Sequence, residues 1–280
     1  MTEPDVVVVT GAGGMGTAVT RRIGSGRTLI LADAFPDALD RAVAALRAEG
    51  YDAKGHLTDV SDARSVTELA AAAAAEGRVA AVVHTAGVSA ATSTVQKIMQ
   101  VDLAGTAHVI DAFETVATRG TSLVCVASMA GHYASLSHED ERALATAPTG
   151  DLLSLDVIAT VGEDATAAYI LAKRGNQVRA QAAALAWNRR GARVNTVSPG
   201  VISTAMARSE AESSAGHHMM AMLDACGADR TGTPAEIAEV VAFLTGPGSL
   251  YITGTDILID GGQAAWLRWH RRPGPLSPTG

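Results

Sequence analysis

Short aliphatic runs alternate with longer stretches of helical periodicity along most of this chain. Short aliphatic runs predict strands at 6–10, 28–32, 79–84, 122–127, 193–197 and 256–259, and the segment at 53–57 could form a further strand, the third along the chain. The stretches between them predict helices, at 15–23, 38–49, 63–76, about 94–118, 165–190 and 234–244. Strands that alternate with helices indicate an α/β fold, a parallel sheet covered by helices on both faces.

Two segments interrupt this alternation. Residues 132–164 separate the fifth strand from the long helix, and their part at 137–142 predicts a capped helix with an acidic first turn. This segment is either a solvated surface insertion or a functional lid. We therefore expect one domain at 1–262 with an insertion at 132–164. The tail at 263–280 is expected to be flexible at its end, while its Trp266 and Trp269 are candidates for docking on a neighbouring subunit.

Composition and charge argue against several classes of protein. The net charge of −7 disfavours a nucleic-acid partner. Only two cysteines occur, Cys125 and Cys226, so neither a disulfide framework nor a cysteine metal site is expected. No apolar stretch reaches the ~18 residues that span a bilayer, and Glu3 and Asp5 precede the first apolar run, unlike a signal peptide. We expect a cytoplasmic protein with no membrane, nucleic-acid or metal partner.

Gly11, Gly13 and Gly16 follow the first strand and open the first helix, in the pattern G-x-G-x-x-G. Glycines at these places let the backbone approach a pyrophosphate, and the helix N-terminus offers unpaired N–H groups to it. An ordinary flexible turn is the alternative.

Asp33 ends the second strand, 17 residues after Gly16. A carboxylate there can accept hydrogen bonds from the ribose hydroxyls of an adenosine and would repel a 2′-phosphate. No Arg or Lys lies within 31–37, so the pattern favours NAD over NADP. The alternative is a solvated loop aspartate.

Tyr169 and Lys173 share one face of the long helix, because they are four residues apart. A nearby ammonium lowers the pKa of a phenol towards neutrality, where it can exchange a proton with an alcohol or a forming alkoxide. Ser128 ends the fifth strand, where open parallel sheets bind ligands, and its hydroxyl can hold the substrate oxygen. A surface pair of little energetic value is the alternative for Tyr169 and Lys173.

In their order and spacing, these residues resemble the short-chain dehydrogenase/reductase family, from residue 6 to about 262. The motifs lie at 10–16, 59–60, 85–87, 128, 169–173, 195–200, 252–254 and 260–262. The resemblance implies a Rossmann-type doubly wound sheet of about seven strands and an NAD(P)-dependent oxidoreductase that interconverts a secondary alcohol and a ketone. It also implies homodimers or homotetramers that form through the helices at 94–118 and 165–190.

The resemblance further assigns roles to single residues. The cofactor phosphates would lie at Gly11, Gly13, Gly14, Met15 and Gly16, the adenine at Asp59 and Val60, and the adenosine side at Ala86 and Gly87. Tyr169 and Lys173 would border the nicotinamide ribose, and its carboxamide and one phosphate would be framed by Pro199, Gly200, Val201 and Thr204. Ser128, Tyr169 and Lys173 would be catalytic, and Asp102 would be the fourth member of the catalytic set.

Three departures from the family pattern stand out. The glycine loop is one residue shorter than usual. Asp102 takes the place of a catalytic asparagine; it could still accept a hydrogen bond from water, but its charge would alter the environment of the lysine. Ser128 and Tyr169 are 41 residues apart, far more than usual, and the segment at 132–164 absorbs the excess. We expect that segment to cover or shape the substrate pocket.

The leading hypothesis is an NAD-dependent dehydrogenase or reductase acting on a small hydrophobic alcohol or ketone, such as a hydroxysteroid. Its pocket would be lined by Met129, Tyr133, Val201, Ile202 and Met206. One alternative is an NADP-linked carbonyl reductase with Asp33 turned away. Another is a non-catalytic NAD(P)-sensing protein, which Asp102 favours. His217 and His218 lack ligand-spaced carboxylates, so we place them in a mobile substrate loop at 203–230 rather than at a metal.

Overall fold

The computed structural model describes residues 4–204, 223–224 and 226–270. Its centre is a seven-stranded, wholly parallel sheet in the order β3-β2-β1-β4-β5-β6-β7. The strands are β1 Asp5–Thr10, β2 Thr28–Asp33, β3 Asp52–Leu57, β4 Arg78–His84, β5 Ser122–Val126, β6 Arg193–Pro199 and β7 Asp256–Ile259. The predicted fold class is therefore confirmed.

Helices connect the strands and cover both faces of the sheet. They are α1 Gly14–Ile23, α2 Pro36–Ala48, α3 Ala63–Glu76, α4 Val95–Ile98, α5 Gly105–Val116, α6 His138–Thr146, α7 Asp156–Ala159, α8 Ala165–Arg189, α9 Pro234–Thr245 and α10 Gln263–Trp269. A π-helical turn at Met99–Ala104 joins α4 to α5, so the predicted helix at 94–118 is not regular throughout. The first part of the predicted tail forms α10, and residues 271–280 lie outside the described part.

The two faces of the sheet bury separate sets of aliphatic side chains. Along β1, Val6 and Val8 point to one face, whereas Val7 and Val9 point to the other, as the period of a strand requires. On the first face, α3, α5 and α8 pack over the sheet. On the second face, α1, α2 and α9 do so. Because both faces are buried, the inner strands appear in the sequence as continuous aliphatic runs, whereas the edge strand β3 is mostly polar.

The segment at 132–164 is not simply a solvated insertion. It contributes α6, α7 and a 3₁₀ turn at Thr149–Ser154 to a third apolar cluster against α8. Leu144 and Leu152 are fully buried in this cluster. The predicted cap is present, because the Ser137 hydroxyl accepts a hydrogen bond from the Asp140 N–H at 3.0 Å.

Arg179 of α8 fixes the segment further. Its guanidinium is nearly buried and donates hydrogen bonds of 3.0 Å to the carbonyl oxygens of Leu144 and Ala147. Thr149 accepts a third hydrogen bond from Arg179 and donates one to the Asp111 carboxylate of α5. The segment therefore covers part of the surfaces of α5 and α8, the two helices through which the resemblance implies subunit contacts.

Two neighbouring leucines test this packing. Leu152 is fully buried, whereas Leu153 is 38% exposed. We expect Leu152→Ala to lower the free energy of unfolding by about 2–4 kcal/mol, because it leaves a cavity, and Leu153→Ala to lower it by less than about 1 kcal/mol. Urea denaturation of both variants measures the difference. Equal, small effects would mean that the segment is not part of the packed core.

Candidate active site

The glycine loop lies where the strand order reverses, between β1 and β4, which is where open α/β sheets bind their ligands. Gly11 has a φ of +87°, and a Cβ there would lie 2.7 Å from the Ala86 nitrogen. A Cβ at Gly16 would overlap the Gly11 carbonyl oxygen. Gly13 caps α1 without a side-chain hydrogen bond. The N–H groups of the first turn of α1 are thus presented in a cradle that only small residues permit.

A cleft of about 280 Å³ opens along this loop and the carboxyl ends of β1, β2 and β4. The predicted cofactor residues that line it are Gly11, Gly13, Gly14, Met15, Gly16, Asp33, Asp59, Val60, Ala86, Gly87 and Thr204. The structure thus brings together the residues expected at the phosphates and the adenosine. Tyr169, Lys173, Pro199, Gly200 and Val201 do not line this cleft.

Two carboxylates of the cleft are held by neighbouring donors. The Asp33 carboxylate accepts hydrogen bonds from the Ala12 N–H at 2.7 Å and from the Phe35 N–H at 3.0 Å, so it is not a freely solvated loop aspartate. Asp59 accepts from the Ser61 hydroxyl at 2.6 Å and from its N–H at 2.9 Å, and these bonds lower the pKa of Asp59.

Phe35 is a cleft residue that sequence reasoning missed. It follows the aspartate at the end of β2 by two positions, and its side chain is 72% exposed although it is aromatic. An aromatic residue in a loop directly before the Pro36 that begins α2 was the available signal. Such a ring offers a flat apolar surface beside Asp33.

Tyr169 and Lys173 lie in the N-terminal half of α8, which begins at an Asp164 cap. The Lys173 side chain is 6% exposed, and its Nζ lies 5.3 Å from the centre of the Tyr169 ring. The ring is partly buried against the cluster that the segment at 132–164 helps to build. Because the Lys173 ammonium is buried, Tyr169 and Lys173 do not form the exposed surface pair that was the alternative interpretation of the sequence.

Asp102 faces the same ammonium from the π-helical turn. Its Oδ2 lies 3.5 Å from Lys173 Nζ, and its Oδ1 accepts a 2.8 Å hydrogen bond from the Val88 N–H. Burial raises the pKa of Asp102, against the opposing effect of Lys173. Burial by itself lowers the pKa of Lys173, but the Asp102 carboxylate and Tyr169 outweigh it, so that this pKa is raised. The 3.5 Å separation of their charged atoms in the interior makes the two groups a buried ion pair.

His84 is a second site residue without a predicted role. Its Nδ1 lies 2.7 Å from the Thr10 hydroxyl and its Nε2 lies 3.1 Å from the Thr106 hydroxyl. Thr106 in turn donates to the Asp102 backbone carbonyl at 2.8 Å. Since that donation leaves Thr106 as an acceptor, Nε2 carries the proton of the neutral ring. Burial, and secondly the charge of Lys173, lower the pKa of His84 to about 3.

Ser128 follows β5 and begins a 3₁₀ turn at Met129–Tyr133, where its hydroxyl accepts from the Ala130 N–H at 3.1 Å. This turn packs tightly on α8, because a Cβ at Gly131 would lie 2.9 Å from the Lys173 carbonyl carbon. The fold thus sets the turn that carries Ser128 against the helix of Tyr169 and Lys173.

The residues after β6 lie beside a second cavity of about 250 Å³. Val201 and Ile202 line it together with Ile237 of α9. The Val201 N–H donates to the Gln263 side chain at 3.3 Å, and Gly200 lies against Asp260, so α10 fixes this turn. Met206, His217 and His218 lie outside the described residues.

Tyr133 is the predicted pocket residue with the most unusual environment. Its hydroxyl oxygen is buried without a hydrogen-bond partner among the described residues. Burial, with a smaller contribution from the Asp260 charge, raises the pKa of Tyr133 to about 12. It is therefore a neutral phenol near the turn that Gly200 and Asp260 form.

Over the described part of the chain, no group of three or more His, Cys, Asp or Glu side chains is arranged to hold a metal ion. Within the same residues, no helix is long and apolar enough to cross a membrane. Cys125 is buried, and burial raises the pKa of its thiol to about 12.

Two family models match adjoining halves of the chain: short chain dehydrogenase at residues 5–138 and enoyl-(acyl carrier protein) reductase at residues 134–264. A short-chain dehydrogenase/reductase, bsc3, from Alternaria brassicicola is 36% identical over 93% of this chain and 96% of its own. A galactitol 2-dehydrogenase (L-tagatose-forming) from Cereibacter sphaeroides is 30% identical over 92% of this chain and 94% of its own.

Solved structures share the fold. Levodione reductase superposes with a TM-score of 0.75 at 24% identity, over 95% of this chain and 99% of that one. The family models, the relatives and the arrangement of the glycine loop with the Tyr169–Lys173 pair agree. The chain therefore belongs to the short-chain dehydrogenase/reductase family of NAD(P)-dependent oxidoreductases.

Proposed function

We propose that this protein is an NAD-dependent dehydrogenase that interconverts a hydrophobic secondary alcohol and a ketone, with Tyr169 as the general acid and base. The observation that carries the proposal is the buried Lys173 ammonium, 5.3 Å from the centre of the Tyr169 ring. The pair adjoins the cofactor cleft, because a Cβ at Gly87 would lie 3.5 Å from Lys173 Nζ.

The residues of the cleft fit a dinucleotide. Gly11, Gly13 and Gly16 leave room for a pyrophosphate at the N-terminus of α1, which attracts anions. Asp59, Val60 and Ala86 would border the adenine and its ribose, and Thr204 would contact a phosphate. Pro199, Gly200 and Val201 would face the carboxamide. When bound, the nicotinamide accepts or supplies the hydride of the reaction.

Side chains of the protein transfer the proton of the reaction. Lys173, a cation next to the phenol, favours the ionised form of Tyr169, so its oxygen can take the proton of an alcohol or return it to a forming alkoxide. Ser128, on the turn that packs against α8, would donate a hydrogen bond to the substrate oxygen. Desolvation around Lys173 strengthens these interactions, because buried charges are poorly screened.

Asp33 supports NAD rather than NADP. Its carboxylate is held by two backbone N–H groups and projects into the cleft wall, where a 2′-phosphate would meet a negative charge. No Arg or Lys lies within 34–37 to offset the negative charge of Asp33. An NADP-linked carbonyl reductase, the alternative, requires Asp33 to turn away and to lose both hydrogen bonds.

The substrate class is argued from the surroundings of Tyr169. Its ring packs beside the apolar cluster to which Leu136, Leu155 and Ile158 of the segment at 132–164 contribute, which favours a hydrophobic alcohol over a sugar alcohol. The galactitol dehydrogenase relative, by its name, acts on a secondary alcohol position of a polyol. A homodimer or homotetramer in the cytoplasm remains our expectation for the assembly and its location.

Tyr169→Phe should abolish alcohol oxidation and ketone reduction, because it removes the only proton that the phenol can exchange, while cofactor affinity stays within about twofold. Turnover is followed by NADH absorbance over a panel of hydrophobic secondary alcohols and ketones, and NADH affinity by fluorescence. Tyr51→Phe, a change on the far side of the sheet, is the matched control. Turnover that survives in Tyr169→Phe would exclude the proposed role; binding without turnover in the unaltered protein would favour a sensing protein.

Fluorescence titration should show NADH binding at least tenfold more tightly than NADPH, because Asp33 repels the additional phosphate. Asp33→Ser should narrow this preference, whereas Asp37→Ser, an equal loss of charge on the exposed first turn of α2, should leave it unchanged. Equal affinity of the unaltered protein for both cofactors would contradict the assignment to NAD.

A further inference from the structure

Lys173 and Asp102 place two opposite charges in the interior, beside the phenol of Tyr169. The Lys173 side chain is 6% exposed and that of Asp102 is fully buried, and their charged atoms are 3.5 Å apart. The ammonium is 5.3 Å from the centre of the Tyr169 ring. The carboxylate oxygen can therefore lie no farther than about 9 Å from that centre, within range of a strong interaction in a poorly screened interior.

The other titratable groups near the ammonium carry no charge at neutral pH. His84, at the end of β4, is held neutral by burial, because its pKa falls to about 3. Cys125 of β5 stays a thiol, because burial raises its pKa to about 12. On α8 itself, Tyr169 is the titratable group that interacts with the ammonium, while the adjacent Arg174 is paired with Glu141 of α6. Among the described residues, Asp102 is thus the group that compensates the charge of Lys173.

Hydrogen bonds hold the Asp102 carboxylate in one position. The Val88 N–H holds one carboxylate oxygen, and the hydrogen bonds from Thr10 through His84 to Thr106 hold the backbone carbonyl of Asp102. The carboxylate cannot turn away from the ammonium without losing the Val88 hydrogen bond, and the backbone that carries it is tied to the ends of β1 and β4. Its field at Tyr169 is therefore built into the fold.

We propose that Asp102 is a positioning residue that acts on Tyr169 through Lys173, as a buried counter-ion that keeps the phenol protonated at neutral pH. The inference rests on the proposed function, in which Tyr169 exchanges the proton. Because the Asp102 carboxylate offsets part of the Lys173 charge, the Tyr169 phenolate loses part of its stabilisation. The protonated phenol, which is the acid for ketone reduction, then prevails across the neutral range, whereas alcohol oxidation requires alkaline pH.

The sign of the effect follows from the charges. Without the Asp102 charge, the Lys173 ammonium stabilises the Tyr169 phenolate more strongly. The midpoint of the pH–rate profile for alcohol oxidation then falls to a lower pH. Asp102 opposes that effect, so the midpoint lies higher with the carboxylate than without it. Below both midpoints the oxidation rate follows the fraction of phenolate. Removing the charge should then accelerate oxidation at neutral pH, an outcome that loss of a merely structural residue does not produce.

Asp102→Asn tests this, because asparagine keeps the size and an acceptor for the Val88 N–H but not the charge. We expect the midpoint of the pH–rate profile for oxidation to fall by about one unit, and the rate below it to rise about tenfold. Asp102→Ser should move the midpoint in the same direction. Asp40→Asn, the same loss of charge on the exposed surface of α2, should leave it in place. A midpoint that stays or rises in Asp102→Asn overturns the proposal.

A second measurement does not depend on turnover. The ultraviolet absorbance of phenolate is titrated in the NADH complex of each protein, and the same titration in the Tyr169→Phe background isolates one of the four tyrosines. Asp102→Asn should lower the midpoint of Tyr169 by about one unit here too. An unshifted absorbance midpoint would overturn the role of Asp102 even if the enzyme is active, whereas activity that persists in Tyr169→Phe would instead overturn the proposed function.

Discussion

The structure depends on one buried positive charge, the ammonium of Lys173, and on the groups that make its burial possible. An isolated ammonium is costly to remove from water, and a buried charge persists only when it is paired and held by good geometry. Asp102 supplies the pairing from the π-helical turn, and Tyr169 supplies a ring beside the ammonium. A π-helical turn inserts an extra residue into a helix and frequently marks a functional site. Here it is the turn that carries Asp102.

The rest of the fold supports this charge from three directions. The carboxyl ends of β1 and β4 contribute Thr10 and His84, whose hydrogen bonds reach the backbone of Asp102. The glycine loop brings the cofactor cleft to the same ends of the strands. From outside, the segment at 132–164 packs on α8 through buried leucines and Arg179, so the helix that carries the proposed acid is enclosed on both sides. Enclosure keeps the local dielectric low, and low dielectric makes these charges effective.

Much of this architecture can be predicted from the sequence, because the local hydrophobic periodicity and the glycine spacing agree with the final fold. Aliphatic runs predict six of the strands to within two residues, whereas the polar segment at 53–57 is only a possible third strand in the sequence, and the glycine spacing places the cleft at β1. Other features depend on contacts between residues distant in sequence. Nothing near His84 in the chain shows that Thr10 and Thr106 will flank its ring, 74 and 22 residues away.

The segment at 132–164 and the ion pair show the same limit. The helix at 138–146 looks like a solvated element because its first turn is charged, and only tertiary contacts show Leu144 fully buried. The substitution at Asp102 is visible in the sequence, but its distance from the ammonium is not, so whether it compensates Lys173 is a question of packing. The periodicity of the sequence predicts the helices and strands. The contacts of the buried polar side chains depend on how those helices and strands pack together.

A crystal structure of the protein with NAD⁺ and a hydrophobic secondary alcohol tests the central claim most directly. We predict that the nicotinamide ribose contacts Lys173, and that the alcohol oxygen lies within hydrogen-bond distance of the Tyr169 hydroxyl and of Ser128. Asp102 would remain against the ammonium. A nicotinamide bound away from α8, or a Tyr169 hydroxyl that faces neither cofactor nor alcohol, would contradict the account.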